Sequence, residues 1–524
     1  MKLPILSGSA AKAQRKVMEF KGLNYQTVTG EGEMVDMKNL SADEYPCLTQ
    51  RLPRKLHLDT LKAPANIFVK GEHFCVIDGT GFYFDGQLKG EVTAGAKQMT
   101  SITDRIVIFP DRTYYDISED KYGKLYYEEV FSSPSSGDGT MVFSENSITL
   151  SGSPQKTFEG IREGDAVEIK IDDTAASAEK NSKTAVVSGV SEDFKTLTFT
   201  SGTFESYTAS DKSVTIKRDV PCLELVCEYN NRLWGVKGNT IYGSKQGDPF
   251  NFGCFQGIST DSYTVEIGTD GDFTGIIGCA THLAVFKQDW IHRLFGSKPS
   301  NFQINTSRCK GVLKGAERSL SIIDDVVLYL SPLGVMAYTG NIPELISENF
   351  GSVRYTGGAG KGDGEHYYLS AQRPEGNWEF LVYDLKRQLW FKQDDTHALD
   401  FAVMEGRIYF LKDDGRVYIC KDREGDEQIE WFADFGESGE FTDPKKGYVR
   451  FYLHAEIEKG AYLEIEVNAD RRGFTTVWRA EAASRKTVKI PLAPSRCDIF
   501  QIRLKGRGRC RIYSLTREIQ LKGE

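Results

Sequence analysis

Apolar side chains in this chain fall in short alternating runs rather than at helical spacing. Runs such as Ile-Val-Ile-Phe (106–109), Val-Val-Leu-Tyr-Leu (326–330) and Ile-Tyr-Phe-Leu (408–411) are β-branched and aromatic. They are bounded by Gly, Asp, Asn or Pro, the composition of strands between tight turns. Residues 10–20 are the best helical candidate and read as a short peripheral arm.

One unit recurs: a polar pair, an alternating apolar run, a tight polar turn, and a second aromatic-rich run. It occupies residues 72–84, 104–115, 231–242, 282–294, 325–338, 366–383 and 406–418, and each copy reads as a hairpin. Most copies start about 32–51 residues apart; the one long interval contains an insertion of about 85 residues, and setting that aside leaves about 42. A strand-built period near 40–50 residues is that of a β-propeller, whose blades are four-stranded antiparallel sheets. A blade cannot cover its own apolar faces, so stacking against neighbours buries them and leaves only short edges. Unrelated β-sandwiches in a row would show hairpins without this spacing.

The predicted fold class is therefore all-β, a propeller of about seven blades with an inserted small SH3- or OB-like barrel and a C-terminal β-domain. The expected boundaries are an arm and entry strand into the ring (1–50), propeller (51–133 and 218–442), inserted barrel (134–217) and a basic sandwich-like domain (443–524). The insertion is rich in Ser, Thr, Lys and Asp and holds alternating runs at 161–170, 185–189 and 196–200. Small barrels of this kind bind nucleic acid, peptides or neighbouring subunits. Here aromatic residues are not interleaved with basic ones, so the segment reads as a spacer that widens an assembly contact.

Charge changes the picture in two steps. The 524 residues are 40% apolar and 27% charged, an ordinary globular composition, and the net charge of -9 argues against a general nucleic-acid binder. The sign is unevenly distributed: residues 443–524 hold 18 basic and 10 acidic side chains (+8), which leaves -17 on residues 1–442. In the basic portion Arg503, Lys505, Arg507, Arg509 and Arg511 alternate with Leu504, Gly506, Gly508, Cys510 and Ile512, so strand geometry aims the cations at one face. This strip is the candidate site, expected to meet the acidic surface of a neighbouring subunit, with a DNA- or lipid-binding strip or a merely solvated face as the alternatives. The opening residues 1–6 turn polar at once over 7–16, giving no apolar stretch of signal-peptide length, and no later run reaches the roughly 20 apolar residues needed to span a bilayer, so synthesis in a cytosol without membrane insertion is expected.

The spacing of reactive residues carries no catalytic or metal pattern. The ten Cys are scattered with no Cys-x-x-Cys, and most read as small buried apolar side chains. Tandem carboxylates at Asp324-Asp325, Asp394-Asp395 and Asp413-Asp414 suit hairpin ends better than a glycosidase pair, because adjacent strand residues point apart. The glycine-rich 357–364 has Gly362 after Lys361 where a phosphate loop needs Ser or Thr, and reads as a flexible inter-strand loop. Residues 268–272 could offer oxygens to Ca²⁺ but lack the alternate-ligand pattern of an EF-hand. The seven His share no ligand spacing. No catalytic, cofactor or metal residue is assigned, and the chain reads as a non-enzyme.

Four stretches carry a family resemblance: 30–41 continuing through 43–51, then 229–235, 241–252 and 510–518. Through them the chain resembles virion proteins of tailed bacteriophages, specifically the propeller-containing tail nozzle or hub proteins that close the DNA exit of short-tailed phages. That resemblance implies a homo-oligomeric ring, often sixfold, beneath a portal and adaptor. It implies contact with other tail proteins, and double-stranded DNA retained or conducted without sequence specificity. It implies a virion component made in the bacterial cytoplasm. The competing expectations are a receptor- or carbohydrate-binding tail component, a polysaccharide-cleaving propeller enzyme, and a cellular scaffold presenting one propeller face to peptides.

Overall fold

A computed structural model describes residues 12–59, 61–132, 137–425, 427–438, 446–481, 483–492 and 496–520. Strands dominate; the described residues hold one short α-helix, Ala176–Asn181, besides single 3-10 turns, and no described helix is long and apolar enough to cross a membrane. Seven four-stranded antiparallel sheets recur along the chain, at 64–91, 98–124, 225–266, 273–307, 321–345, 357–394 and 398–419, the last completed by Lys55–Leu58. These meanders are β-propeller blades. Every one of the seven hairpins read from the sequence is the central strand pair of a blade, as in Arg232–Lys237 with Thr240–Gly243 and Val326–Ser331 with Gly334–Tyr338.

Local sequence explains the turns. Asn230-Asn231 and Asp324-Asp325 have positive φ at both positions (52° and 54°, 47° and 64°). A two-residue hairpin needs that geometry, and Asn and Asp tolerate it best among non-glycine residues. The tandem Asp at 324–325 is thus a hairpin device. Asp394 instead accepts from Arg54 (2.9 Å) and faces Arg51 (3.7 Å), Asp413 meets His397, and Asp414 meets Lys412.

The chain divides into two compact units, 73–311 and 1–72 with 312–524. In the first, the blade at 98–124 packs on that at 225–266 through Val107, Phe109, Leu223 and Phe250. The latter packs on the blade at 273–307 through Trp234, Val236, Leu283 and Val285. The insertion interrupts this run. Its strands lie in two sheets over one apolar core that includes Phe131, Phe143, Ile148, Val167, Leu197 and Ile216. Its structural start is earlier than expected, since Tyr127–Phe131 pairs with Val214–Arg218. The expected boundary residues 134 and 443 lie outside the described residues.

In the second unit the expected entry strand takes a different place. Met34–Lys38 pairs with Glu430–Phe435, and Leu48–Gln50 pairs with Cys510–Gln520, so residues 30–51 belong to the C-terminal sandwich rather than to a blade. Lys55–Leu58 closes the last blade by pairing with Val417–Ile419. The helical candidate at 10–20 is likewise corrected: Lys12–Val17 is an edge strand on Cys510–Gln520, where the sheet's open ladder outweighs helix propensity, and residues 10 and 11 lie outside the described residues. The sandwich starts at Glu430, earlier than expected, and its two sheets enclose Phe451, Leu453, Leu463, Leu504 and Ile512. That core runs on into the blades at 321–345 and 357–394 through Leu330, Leu369 and Trp390.

Residues 20–25 seal this junction. Gly22, at φ +79°, brings the backbone so close to Trp390 that a Cβ would lie 2.5 Å from its carbonyl oxygen. Beyond it, Tyr25 and Tyr355 each donate to Glu379 (2.8 Å), which also pairs with Arg373 (2.8 Å). Burial, then the neighbouring Glu379 charge, raises both phenols well above their usual range.

The glycine-rich 357–364 is corrected too. Gly357–Gly362 is a strand, not a flexible loop, because the neighbouring strand packs where side chains would sit. A Cβ at Gly358 would lie 2.6 Å from the Ser370 carbonyl, and one at Gly360 2.7 Å from the Tyr367 hydroxyl.

Candidate interaction site

The predicted basic strip is split by the fold. Arg503, Lys505 and Arg507 lie on Phe500–Arg507 in one sandwich sheet, where the alternation does place them on a common face. The chain then turns at Gly508 (φ +78°) and crosses to the other sheet, so Arg511 leaves that face and Arg509 sits in the crossing. Four of the five cations are neutralised within the chain. Arg503 pairs with Asp434 (2.6 Å) and Glu466 (3.8 Å), and Lys505 with Glu466 (2.6 Å) and Glu464 (3.5 Å). Arg509 pairs with Glu44 (3.0 Å) and Glu458 (3.5 Å), and Arg511 with Glu44 and Glu456. Arg507 donates to the Gln428 carbonyl. The hydrogen bond to Glu466 raises Lys505, and those from Arg511 and Arg509 hold Glu44 below its ordinary value. Its carboxylates are supplied in cis.

A more prominent feature comes from two of the resembling stretches, 229–235 and 241–252. Arg232, 1% exposed, opens a central blade strand and donates to the carbonyls of Ser244 (2.8 Å), Ser259 (2.8 Å), Thr260 (3.2 Å) and Asp261 (2.5 Å). Asp261, 3% exposed, turns back on its own loop and accepts from the backbone N–H groups of Gln256 (2.6 Å), Gly257 (2.6 Å) and Ile258 (3.1 Å). Ser262 closes the base by donating to the Asn251 carbonyl and accepting from the Cys254 N–H.

Two buried charges thus fix a loop from both sides, and what it presents is apolar: Phe255 is 63% exposed and Ile258 50%. A large side chain held in water by a loop with satisfied backbone is pre-organised for contact, because little ordering entropy remains to be lost on docking. Sequence reading passed over this loop. The available signal was an aromatic and a β-branched residue in a polar turn between Gly253 and Asp261.

The base of the loop is tied to the insertion. Asp165, 1% exposed, pairs with Arg218 and accepts from Asn251 Nδ2 (2.9 Å) and the Arg162 N–H (2.9 Å). Asn251 Oδ1 accepts in turn from the Ala166 N–H (3.0 Å), and Lys245 reaches the Gly164 carbonyl (3.3 Å). Phe250 lies under the Arg162 and Arg218 guanidiniums at 4.3 and 5.2 Å.

Residues 268–272, weighed above as oxygen donors, already face a cation of the chain itself. Buried Lys287 donates to the Thr269 carbonyl (2.5 Å) and Asn239 (3.0 Å); burial lowers its pKa, while Asp270 and Asp272 oppose the shift. Beside it His292 bonds Thr269 and Thr306, and burial, then Lys287, lowers it to about 4.

In the other unit a cleft of about 800 Å³ is lined by Asp363, Glu365, Glu405, Arg407, Lys421 and Arg423. Mixed charges of this kind favour mutual pairing: Lys421 holds Asp43 at 2.8 Å, and His366 stands 3.5–3.9 Å from Asp363, Asp384 and Asp43. Among the described residues no group of three or more His, Cys, Asp or Glu could hold a metal ion.

No family model and no curated protein matches the chain. Among solved structures it is similar to BamB from Moraxella catarrhalis, at 9% identity and a TM-score of 0.34, over 75% of this chain and 98% of that one. It is similar to a chain of the Mitotic Checkpoint Complex at 7% identity and a TM-score of 0.30, over 80% of this chain and 97% of that one. A third is an exo-beta-1,3-galactanase from Phanerochaete chrysosporium, at 8% identity and a TM-score of 0.21, over 55% and 92%. Likeness at this level transfers no function, and the fold class stands on the strand order itself.

Proposed function

We propose that this chain is a structural protein of a tailed-bacteriophage virion, a tail nozzle or hub that assembles as a homo-oligomeric ring, a hexamer, at the DNA exit beneath the portal and adaptor. One observation carries the reading. The four resembling stretches come together in two pairs, and both pairs hold the body together rather than assemble reactive groups. Residues 30–51 and 510–518 meet in the sandwich, through Leu48 opposite Ile512 and Glu44 against Arg509 and Arg511. Residues 229–235 and 241–252 jointly brace the loop that presents Phe255 and Ile258. The family likeness therefore falls on framework and on a contact element, as expected of a part made to be assembled.

In this reading the Phe255 loop is the subunit contact, and the cis-neutralised strip replaces the basic tail as a brace inside each copy. A channel through such a ring would pass duplex DNA without binding it tightly, helped by the chain's negative balance. The test is electron microscopy of the purified protein, alone and mixed with the products of neighbouring genes. Uniform rings with a central hole are expected. Persistent monomers that digest a capsular polysaccharide would overturn the reading, and monomers that score on a glycan array would move it to the receptor-binding alternative.

A further inference from the structure

Four of the five cations of the 503–511 strip are paired in cis, and the sandwich gathers further positive charge on the other sheet, which Arg511 also joins. Strand Ser484–Pro491 pairs with Lys446–Ile457, that strand with Cys510–Gln520, and that in turn with Lys12–Val17. The registers give a continuous row on the outward face: Lys489 opposite Tyr452, Tyr452 opposite Thr516, Thr516 opposite Lys16. Arg485, Arg450, Arg511 and Lys12 share this face, against only Glu456 and Glu518 as strand neighbours among the described residues. Each of these two carboxylates already serves two cations. Glu456 meets Arg485 and Arg511, and Glu518 meets Arg450 (3.6 Å) and Lys12 (3.5 Å). Lys16 and Lys489, both exposed, meet no carboxylate among the described residues. The face therefore keeps a positive surplus, and its two free cations stand at opposite ends of one row.

We propose that this face binds the phosphate backbone of duplex nucleic acid without reading sequence, with Lys16 and Lys489 as its principal contacts and Arg485 and Lys12 completing two cation rows. Three inter-strand steps of ~4.8 Å set the rows ~14 Å apart, close to the ~12 Å width of a B-DNA major groove, so both phosphate walls can be met at once. Along each row, Arg485 to Lys489 and Lys12 to Lys16, the four-residue step spans ~13 Å. Stacking of unpaired bases is disfavoured at Tyr513, which has His454 at 4.9 Å and the Arg485 guanidinium at 5.1 Å and donates to Glu456, and Tyr452 in the row is tethered by its hydroxyl to Glu518 (3.3 Å). The inference rests on the assembly reading only for where duplex DNA would be met.

The test is fluorescence anisotropy with the full chain and a mixed-sequence 30-base-pair duplex, across a salt series. Four phosphate contacts give a log–log salt slope of about -3.6, and Lys16→Glu with Lys489→Glu cuts it to about -1.8 and weakens binding at least tenfold at low salt. Lys16→Gln with Lys489→Gln is expected to act the same way more mildly, with an unchanged melting temperature. No binding at 25 mM salt, a slope unmoved by either double variant, tighter binding of the single strand, or displacement of the duplex by a uronic-acid polysaccharide would each overturn the proposal. A protein that stays monomeric in the microscope yet shows the expected slope defeats the assembly reading and leaves this one standing; rings that ignore the duplex do the reverse.

Discussion

Asp165 is the most informative place to perturb the molecule. In Asp165→Ala the Arg218 guanidinium, 3% exposed, loses its carboxylate, and Asn251 Nδ2 and the Arg162 N–H lose an acceptor. Breaking a buried ion pair from one side costs about 3–5 kcal/mol, and a single hydrogen bond to a charged group about 1.5–3 kcal/mol. Arg218 keeps the carbonyls of Gly160 (2.8 Å) and Leu125 (3.1 Å), which puts the expected loss near ~4 kcal/mol rather than the sum of the three bonds. With a urea dependence of ~2 kcal/mol per molar, the first unfolding midpoint should fall by about 2 M. Hydrogen exchange read by mass spectrometry should localise the damage to peptides covering 127–218 and 245–251, with the blades at 321–419 unchanged. Asp165→Asn, which keeps the shape but not the charge, should fall between the two. A loss below about 1 kcal/mol, or faster exchange spread evenly over the chain, would refute the role of Asp165 in tying the loop to the insertion.

Phe255→Ser with Ile258→Ser should leave the melting temperature within about 2 °C, because neither side chain is in a core, while abolishing any ring seen for the parent protein; rings that persist would remove the loop from the contact. His292 is held neutral, with its folded pKa lowered to about 4 from an unfolded ~6.5, so the unfolded state binds more protons between these values. Stability should therefore fall as pH drops from ~6.5 to ~4, and His292→Asn should flatten that slope in urea titrations; an unchanged slope would place the proton elsewhere. Partial desolvation alone would raise Asp363, which is half-buried, and Asp43, which is exposed, but both end below their ordinary values through hydrogen bonds and charges from His366 and Lys421. Their contribution is present above ~pH 4 and should be lost as the pH falls further, visible as acid unfolding that Asp363→Asn makes shallower. Gly360→Ala should cost about 1–3 kcal/mol by driving a methyl against Tyr367 and the Tyr368 carbonyl; a neutral result would mean that the strand can shift.

The propeller hairpins were legible because both their strands and their turn lie within a dozen residues, so period-two alternation and turn chemistry reinforce each other. What long-range pairing decides was not legible. Lys55–Leu58 alternates polar and apolar residues but is only four residues long and mostly exposed, and only its partner Val417–Ile419 makes it a blade strand. Gly357–Gly362 hid its strand because its missing side chains are the packing feature. The alternation of the basic strip holds from Arg503 to Arg507 only, because the chain then crosses to the other sheet, and one of its neutralising groups, Glu44, precedes Arg511 by 467 residues. In the Phe255 loop the sequence displays the apolar tips plainly, while the brace that gives them meaning depends on Arg232, 27 residues before Ser259.

The pairing of Met34–Lys38 with Glu430–Phe435 sets a schedule for the ribosome. The earlier strand emerges some 400 residues before its partner, and at ~5–20 residues per second that is a wait of roughly 20–80 s. Through that interval Met34 and Met37, fully covered in the finished protein, have no native shelter. The newborn chain must complete most of its blades while carrying this exposed, sticky leader, so chaperone dependence during translation, rather than resistance once folded, is where selection on these first fifty residues should act.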